Sequence, residues 1–196
     1  MRIISGTSRG RKLATPRNQS LRPTSDRVKE SIFDILQDDV EGRKVLDLFA
    51  GTGNLGIEAL SRGAMSAVFV EKGRQALRLI QKNLTQLGLE GRSEILPKDV
   101  SRAIGILNQR RERFDLILMD PPYQKGLIQS TLMKLNSHPI YHRSSILVIE
   151  HNRREPLPHG TGGWDLTRQR RIGDSVISFL TPPGGDHEQV ITYKEV

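Results

Sequence analysis

The stretch that decides the fold is Asp47-Leu48-Phe49-Ala50-Gly51-Thr52-Gly53-Asn54-Leu55-Gly56. It places an acidic residue at the end of an apolar strand and follows it with a G-x-G-x-x-G turn that opens a helix. Gly51 and Gly53 remove Cβ atoms where the chain must bend sharply, and Gly56 lets the helix lie close to the sheet. We therefore expect a strand–turn–helix unit whose backbone a nucleotide-like ligand can approach directly.

Apolar runs alternate with amphipathic stretches from Lys44 onward. The pattern predicts strands and following helices at 44–49 and 54–62, 66–71 and 74–87, 93–97 and 100–109, and 114–119 and 126–136, with a fifth strand at 146–150. Ser25 is a good N-cap for an earlier helix over about 26–37. Such alternation indicates right-handed crossovers and an open, mostly parallel sheet with helices on both faces, so we predict an α/β fold.

Both ends of the chain depart from this rhythm. Two β-like runs, 164–171 and 175–181, are separated by Ile172-Gly173-Asp174, which predicts an antiparallel hairpin that completes a seven-stranded sheet. At the other end, runs at 2–5 and 11–14 predict an N-terminal β-hairpin arm. We divide the chain into a basic hairpin arm at 1–24, the main domain at 25–183 and a polar C-terminal tail at 184–196.

Composition and charge narrow the possible partners. The 196 residues carry 30 Lys plus Arg against 22 Asp plus Glu, a net charge of +8, which favours polyanions such as RNA, DNA or an anionic membrane. Eight of the cationic side chains and a single acidic one lie in the first 29 residues, so the excess is local. No stretch reaches the length of a signal peptide core or a membrane span, and we expect a cytoplasmic protein with no membrane partner.

Cysteine and histidine usage bears on the chemistry. The chain has no cysteine, which excludes disulfides, cysteine-ligated zinc and thiol catalysis. The histidines show neither metal-ligand spacing nor a paired nucleophile, so we expect structural or surface roles for them and no metal. They are His138, His142, His151, His159 and His187.

The glycine turn by itself suits more than one ligand. Its spacing also fits a nicotinamide dinucleotide fingerprint, and Glu71 follows Gly51 by 20 residues, close to the distance at which an acid holds a ribose. Asp47 argues against a dinucleotide, because its charge would repel a pyrophosphate. The same charge suits the cationic methionine end of S-adenosyl-L-methionine, directly or through water. Little chain is left for a dehydrogenase substrate domain, so S-adenosyl-L-methionine is the cofactor that we expect.

Other strand ends supply the rest of the predicted cofactor site. Glu71 can accept hydrogen bonds from the ribose hydroxyls, or it can be a surface acid beside Lys72. Asp99 can accept a hydrogen bond from the adenine amino group, or it can serve only as the N-cap of the helix at 100–109. The carboxyl ends of parallel strands share one edge of a sheet. The predicted cofactor residues in these strands and turns are Asp47, Phe49, Gly51, Gly53, Glu71, Asp99 and Asp120.

A second motif, Asp120-Pro121-Pro122-Tyr123, directly follows the fourth strand. An exocyclic amine is hard to methylate because its lone pair is delocalised into the base. Asp120 and a backbone carbonyl such as that of Pro121 can accept hydrogen bonds from the two N–H groups and localise that lone pair. The prolines stiffen the loop, and Tyr123 offers a face on which a flipped base can stack. We therefore predict a catalytic loop at 120–123, although the tripeptide alone could be merely a turn.

The chain resembles the RsmD family, bacterial 16S rRNA guanine-N2 methyltransferases. Besides the two motifs above, the resemblance rests on Ile4-Ser5-Gly6-Thr7-Ser8-Arg9-Gly10-Arg11-Lys12-Leu13 and Leu21-Arg22-Pro23-Thr24-Ser25-Asp26-Arg27-Val28-Lys29-Glu30. Only the last dozen residues fall outside it. The resemblance implies a Rossmann-like class I S-adenosylmethionine-dependent methyltransferase domain over 25–183.

The resemblance also implies a substrate and further site residues. The substrate would be a guanine N2 amino group in 16S ribosomal RNA, within the small ribosomal subunit or its assembly intermediate. Arg22 and Thr24 would help to close the cofactor site. Arg9, Arg11 and Lys12 would contact RNA phosphates, with a merely solvated basic hairpin as the alternative. The family also uses Phe at the position of Tyr123, and either ring can stack on a base.

Two other functions stay open on the sequence alone. The two motifs equally suit methylation of adenine N6 in RNA or DNA, although the lack of a separate target-recognition domain argues against a sequence-specific DNA enzyme. A non-catalytic RNA-binding or ribosome-assembly module would be expected to have lost Asp120 or the glycines, and this chain retains them.

Overall fold

A computed structural model describes residues 1–16, 25–123, 126–158 and 161–185. Its strands are β1 (Lys44–Leu48), β2 (Ser66–Val70), β3 (Ser93–Leu96), β4 (Phe114–Met119), β5 (Tyr141–Asn152), β6 (Asp165–Ile172) and β7 (Ser175–Thr181). Its α-helices are α1 (Asp26–Leu36), α2 (Asn54–Ser61), α3 (Arg74–Leu87), α4 (Val100–Gln109) and α5 (Leu127–Ser137), and short 3-10 helices lie at Gln37–Val40, Glu90–Arg92 and Thr161–Gly163.

The strands form one seven-stranded sheet in the order β3-β2-β1-β4-β5-β7-β6. The first five strands are parallel, whereas β7 is antiparallel to both of its neighbours. The predicted α/β class and the antiparallel C-terminal hairpin are therefore confirmed. The predicted helix at 26–37 is confirmed to within one residue, and Ser25 caps it by accepting the backbone N–H of Val28 at 3.2 Å.

Helices cover both faces of the sheet. Helices α1, α2 and α3 pack on one face, and α4 and α5 pack on the other. Side chains alternate along a strand, so Val45 of β1 joins the first core and Leu46 joins the second. The alternation places Asp47 on the same face as Val45, beneath α2.

Strand β5 is longer than the predicted 146–150. Its first residues pair with the start of β4 through an irregularity, because the register passes from Phe114–Tyr141 to Leu116–Ile146. Ser145 bridges the gap: its hydroxyl accepts the His142 N–H and donates to the Phe114 carbonyl, both at 2.7 Å. The Ser145 side chain thus replaces hydrogen bonds that the backbone of a regular strand would make. The first residues of β5 are polar and lack the apolar pattern of a strand, so the sequence did not predict this part of β5.

Residues 1–16 fold back on themselves but make only one isolated antiparallel bridge, Arg2–Lys12, in place of the two predicted strands. The segment is docked on the domain. Ile3 and Leu13 are buried in the first core. The N–H groups of Ile4 and Ser5 donate to the Glu58 carboxylate at 2.9 and 3.0 Å. Its backbone is therefore paired in two ways: Ile3 and Leu13 donate across the segment to the carbonyls of Arg11 and Met1, while Ile4 and Ser5 donate to α2.

A buried cation joins this segment to α1 and α2. The Lys29 ammonium lies 3.1 Å from Glu58 and donates to the Arg2 carbonyl at 2.6 Å and to Asn54 Oδ1 at 2.7 Å. Its three N–H groups therefore all have an acceptor. Burial lowers the pKa of Lys29, and the negative charge of Glu58 opposes that shift.

Candidate active site

The parallel strands end level with one another, which gathers their terminal side chains at one edge. The last paired residues run across the sheet as Leu96, Val70, Leu48, Met119 and Ile149. The residues that follow in β2, β1, β4 and β5 are Glu71, Phe49, Asp120 and Glu150, and all four line one cavity of about 710 Å³. That volume is in the range of small-molecule sites.

The glycine turn forms one wall of this cavity. Phe49, Gly51 and Gly53 have φ values of 63°, 56° and 80°, so every second residue of the turn is left-handed. A Cβ atom on Gly56 would lie 2.4 Å from the Phe69 ring, which explains the need for glycine where α2 approaches β2. Phe49 and Gly51 lie on the cavity wall, whereas Gly53 lies behind it as the N-cap residue of α2.

Asp47 lies beneath the turn, away from the cavity wall. Its side chain is almost fully buried, and Oδ2 accepts the Gly56 N–H at 2.9 Å. Burial raises the pKa of Asp47 to about 7; the Gly56 hydrogen bond opposes this rise, and the nearby charge of Glu71 adds to it. In this arrangement the carboxyl group holds the start of α2 against β1.

Glu71 joins the glycine turn to the loop after β2. Its Oε2 accepts the Gly51 N–H at 3.0 Å, while Oε1 accepts the N–H groups of Lys72 and Gly73 at 2.8 and 2.6 Å. Asp99 has a similar local role, because Oδ1 accepts the Arg102 N–H at 3.0 Å and caps α4. Both residues still line the cavity, so neither has been drawn away from it by these bonds.

The Asp-Pro-Pro-Tyr loop lies opposite the glycine turn. All four of its residues line the cavity. Asp120 and Tyr123 are half-buried, Pro121 is buried and Pro122 is exposed. The Tyr123 hydroxyl donates to Glu150 Oε1 at 3.4 Å, and the Ser175 hydroxyl donates to the same oxygen at 2.9 Å. The loop is thereby connected to the ends of β5 and β7.

Sequence reasoning missed Glu150 and Ser175 as site residues. Glu150 is almost fully buried and lines the cavity beside Tyr123. The signal that identified Glu71 and Asp120 was available for Glu150 as well, because it is an acid at the predicted end of a parallel strand. Ser175 had no such signal, since it reaches the cavity only because β7 runs antiparallel to β5.

Five other residues were predicted for the site or for RNA contact. Arg22 and Thr24 are outside the described residues. Arg9, Arg11 and Lys12 are exposed. The turn of the arm is held at the end of α2, where the Thr7 N–H donates to the Ser61 carbonyl at 2.8 Å.

The Arg11 guanidinium donates to the Gln86 carbonyl near the end of α3 at 2.6 Å. Helices α2 and α3 each end close to where the next parallel strand begins, which is the sheet edge opposite the cavity. Because the turn of the arm contacts the ends of these two helices, it lies toward that edge.

Among the described histidines, His138 is half-buried, His142 is exposed and His151 is buried. His151 is buried, hydrogen-bonded to Ser178 Oγ at 2.8 Å, and lies outside the cavity lining; burial lowers its pKa. Within residues 1–16, 25–123, 126–158 and 161–185, no group of three or more His, Cys, Asp or Glu side chains could hold a metal ion. In the same ranges, no helix combines the length and apolar character that a membrane span requires.

The strand order, the glycine turn after β1 and the Asp-Pro-Pro-Tyr loop after β4 together define a Rossmann-like methyltransferase. The chain belongs to the family described as Conserved hypothetical protein 95, whose model matches residues 1–181. The resemblance to the RsmD family is confirmed by this match.

Known relatives resemble the chain over most of its length. The Bacillus subtilis protein YlbH is 37% identical over 184 residues, which cover 94% of this chain and 100% of the relative. Ribosomal RNA small subunit methyltransferase D of Escherichia coli is 35% identical over 173 residues, or 88% of this chain and 85% of the relative. The solved structure of Escherichia coli yhhF has a TM-score of 0.81 and 32% identity, covering 93% of this chain and 98% of that chain.

Proposed function

We propose that this protein transfers a methyl group from S-adenosyl-L-methionine to the exocyclic N2 amino group of a guanine in 16S ribosomal RNA. The observation that carries the proposal is that the glycine turn and the Asp120–Tyr123 loop line the same cavity. The names of the relatives from Escherichia coli and Haemophilus influenzae refer to small-subunit ribosomal RNA methylation, which supports the substrate class.

The residues of the cavity suit the cofactor. Gly51, with φ of 56°, exposes backbone on the wall, and Phe49 adds an apolar ring beside it. A carboxylate has about four lone-pair positions, so Glu71 can accept a ribose hydroxyl in addition to its three backbone N–H groups. Asp99 can reach the adenine amino group from the same edge. When bound, S-adenosyl-L-methionine supplies an electrophilic methyl group on a sulfonium.

Two further parts of the cofactor site are proposed. Asp47 would act mainly by holding the turn that receives the methionine end of the cofactor, since its carboxyl group bonds the Gly56 N–H. Arg22 and Thr24 would close the site around the same end, as the family resemblance implies. In addition, Arg9, Arg11 and Lys12 would contact RNA far from the reacting base.

The catalytic loop would act on the target amino group by positioning and electrostatics. Asp120 and the Pro121 carbonyl accept hydrogen bonds from its two N–H groups, which draws the lone pair out of the base ring and stabilises the positive charge that develops on nitrogen. Tyr123 stacks on the base. With a reference pKa of about 3.9, a carboxylate is a weak base, so the proton leaves to solvent as, or after, the nitrogen becomes positively charged.

A labelling experiment tests this function. The protein is incubated with methyl-labelled cofactor and small ribosomal subunits from cells that lack it, and the RNA is digested to nucleosides. We expect the label in N2-methylguanosine. Label in N6-methyladenosine would replace guanine by adenine as the target, and no transfer to subunits, assembly intermediates or naked 16S RNA would overturn the enzyme assignment.

The variant Asp120→Ala tests the role of the loop. It should reduce transfer by at least about 100-fold, the scale on which a single preorganised hydrogen-bonding group acts in a transition state. Cofactor affinity, measured by calorimetry, should change little because the glycine turn and Glu71 are untouched. Full activity in this variant would contradict the proposed mechanism.

A further inference from the structure

Strand direction brings a second part of the chain to the cavity edge. Ser175, the first residue of β7, pairs with Asn152 of β5 and with Ile172 of β6. Ser175 also lines the cavity. The β6–β7 turn and the loop after β5 therefore lie at the same sheet edge as the cavity, one or two strand spacings of about 4.8 Å from it.

Exposed arginines are concentrated in these two segments. Arg153 and Arg154 follow β5, and Arg170 and Arg171 lie at the end of β6. We call these four residues the β6 basic edge. Acidic residues compensate them only in part. Asp174 pairs with Arg153 at 2.8 Å, while the Arg171 guanidinium donates to the Gly173 carbonyl at 3.1 Å. Within the described ranges, neither Arg154 nor Arg170 belongs to an ion pair.

The arrangement of these cations suits an extended polyanion. Strand β6 is the last strand of the sheet, and side chains alternate along it. Arg170, opposite Ile177, lies on the face covered by α1, and Arg171, opposite Val176, lies on the other face. The charges therefore lie on both sides of the sheet edge, next to the cavity. The turn of the arm, in contrast, lies toward the opposite edge.

We propose that the β6 basic edge binds the phosphates of the RNA strand that flanks the target guanine. The inference rests on the proposed function, because it assumes that the cavity receives a base of an RNA chain. Phosphate contacts near the reacting base fix the register of the strand without reading its sequence. Charged side chains on an edge strand can also prevent sheet-to-sheet pairing, but that role does not require them to lie beside the cavity.

The test compares two double variants that remove equal charge. Arg154→Gln with Arg170→Gln alters the β6 basic edge. Arg111→Gln with Arg143→Gln alters exposed arginines just before β4 and at the start of β5, at the opposite sheet edge, and leaves the Arg110–Glu94 ion pair intact. Equilibrium binding to small ribosomal subunits is measured from about 50 to 200 mM salt, the range over which phosphate contacts change affinity strongly. The KM for subunits and the cofactor affinity are measured alongside.

We expect the first double variant to lose about 1.5 from the slope of log K against log salt, since each lost phosphate contact accounts for about 0.7 to 0.9. Its affinity for small ribosomal subunits should fall about tenfold near 0.1 M salt. The KM for subunits should rise correspondingly, and the affinity for the cofactor should not change. The second double variant should match the unaltered protein.

Equal binding by the unaltered protein and both variants would overturn the inference, and so would equal losses in both variants. Aggregation of the first variant with unchanged RNA affinity would assign these arginines to edge protection instead. Binding is measured without turnover, so a protein that binds subunits but transfers no label would overturn the proposed function and still leave the two variants distinguishable.

Discussion

At the scale of single residues, Asp47 was predicted from its sequence position to bind the cofactor, but its side chain does not line the cavity. It ends β1 and precedes the glycine turn, yet it faces α2 and bonds the Gly56 N–H instead of lining the cavity. Its surroundings exclude water almost completely, which raises its pKa to about 7. The folded protein therefore retains a proton on Asp47 at pH values where the unfolded chain, with an ordinary value of 3.8, has lost it.

The sign of this linkage gives a pH prediction for Asp47→Asn. Between about pH 4 and pH 7 the folded state binds the extra proton, so Asp47 makes the free energy of unfolding fall as pH rises, by at most about 1.4 kcal/mol per pH unit. The asparagine variant lacks this contribution but keeps an oxygen for the Gly56 N–H. Urea unfolding at pH 5 and pH 8 should show a larger fall for the unaltered protein. Parallel pH profiles would contradict the prediction.

Most residues of the candidate site could be found from the sequence because parallel strands end at one edge. Glu71, Asp99 and Asp120 were identified in this way, and they line the cavity. Their hydrogen bonds could not be predicted, since Glu71 bonds backbone groups from two separate segments. The position of Ser175 depends on the direction of β7 and the pairing of three strands, and no local pattern encodes it.

At the scale of secondary-structure elements, a buried ion pair connects α1 to α2. Lys29 and Glu58 are both fully buried, and Glu58 also accepts the Arg62 Nε–H at 2.9 Å. Removing one member of such a pair leaves a charge without its main partner in a medium that solvates it poorly. The helices and the segment at 1–16 therefore depend on one another through these side chains.

The variant Lys29→Met should lower the free energy of unfolding by about 3 to 5 kcal/mol, because Glu58 would lose a buried counter-charge. Chemical denaturation measures the change. Lys82→Met, at an exposed position of α3, is the matched control and should stay within about 0.5 kcal/mol of the unaltered protein. Adding Glu58→Gln to Lys29→Met should restore part of the loss. A cost below about 1 kcal/mol would show that the pair is not structural.

Elements in which apolar residues recur at regular spacing were predictable. Elements in which a side chain replaces backbone hydrogen bonds were not. The helix α3 matches its prediction at 74–87, since its apolar residues recur at helical spacing and Gly88 ends it with φ of 68°. The first part of β5 was missed because Ser145 carries hydrogen bonds that a regular strand would make with backbone.

At the scale of the whole molecule, the segment at 1–16 has a structural role besides its charge. Ile3 and Leu13 belong to the first core. Asn83 of α3 accepts the Ala14 N–H at 2.7 Å and donates to the Thr52 carbonyl at 3.1 Å, which links the segment to the glycine turn. The sequence indicated a basic arm, but its long-range partners on α2 and α3 could not be derived from local pattern.

Two variants separate charge from structure in this segment. Deletion of residues 1–13 should lower the melting temperature strongly, because it removes two core side chains and the backbone partners of Glu58. The triple variant Arg9→Gln, Arg11→Gln, Lys12→Gln should retain the free energy of unfolding to within about 1 kcal/mol. It should nevertheless bind small ribosomal subunits more weakly at low salt. Equal destabilisation of both variants in thermal unfolding would contradict this separation.

The docking of residues 1–16 also sets an order of events during synthesis. These residues leave the ribosome before their partners, which extend to Gln86 and are made later. At about 5 to 20 residues per second, the segment waits roughly 4 to 17 seconds before its binding surface exists. Ile3 and Leu13 are exposed throughout that interval, and their first opportunity for burial comes when α2 and α3 have formed. This positively charged segment therefore reaches its folded position only after α1, α2 and α3 have been synthesised.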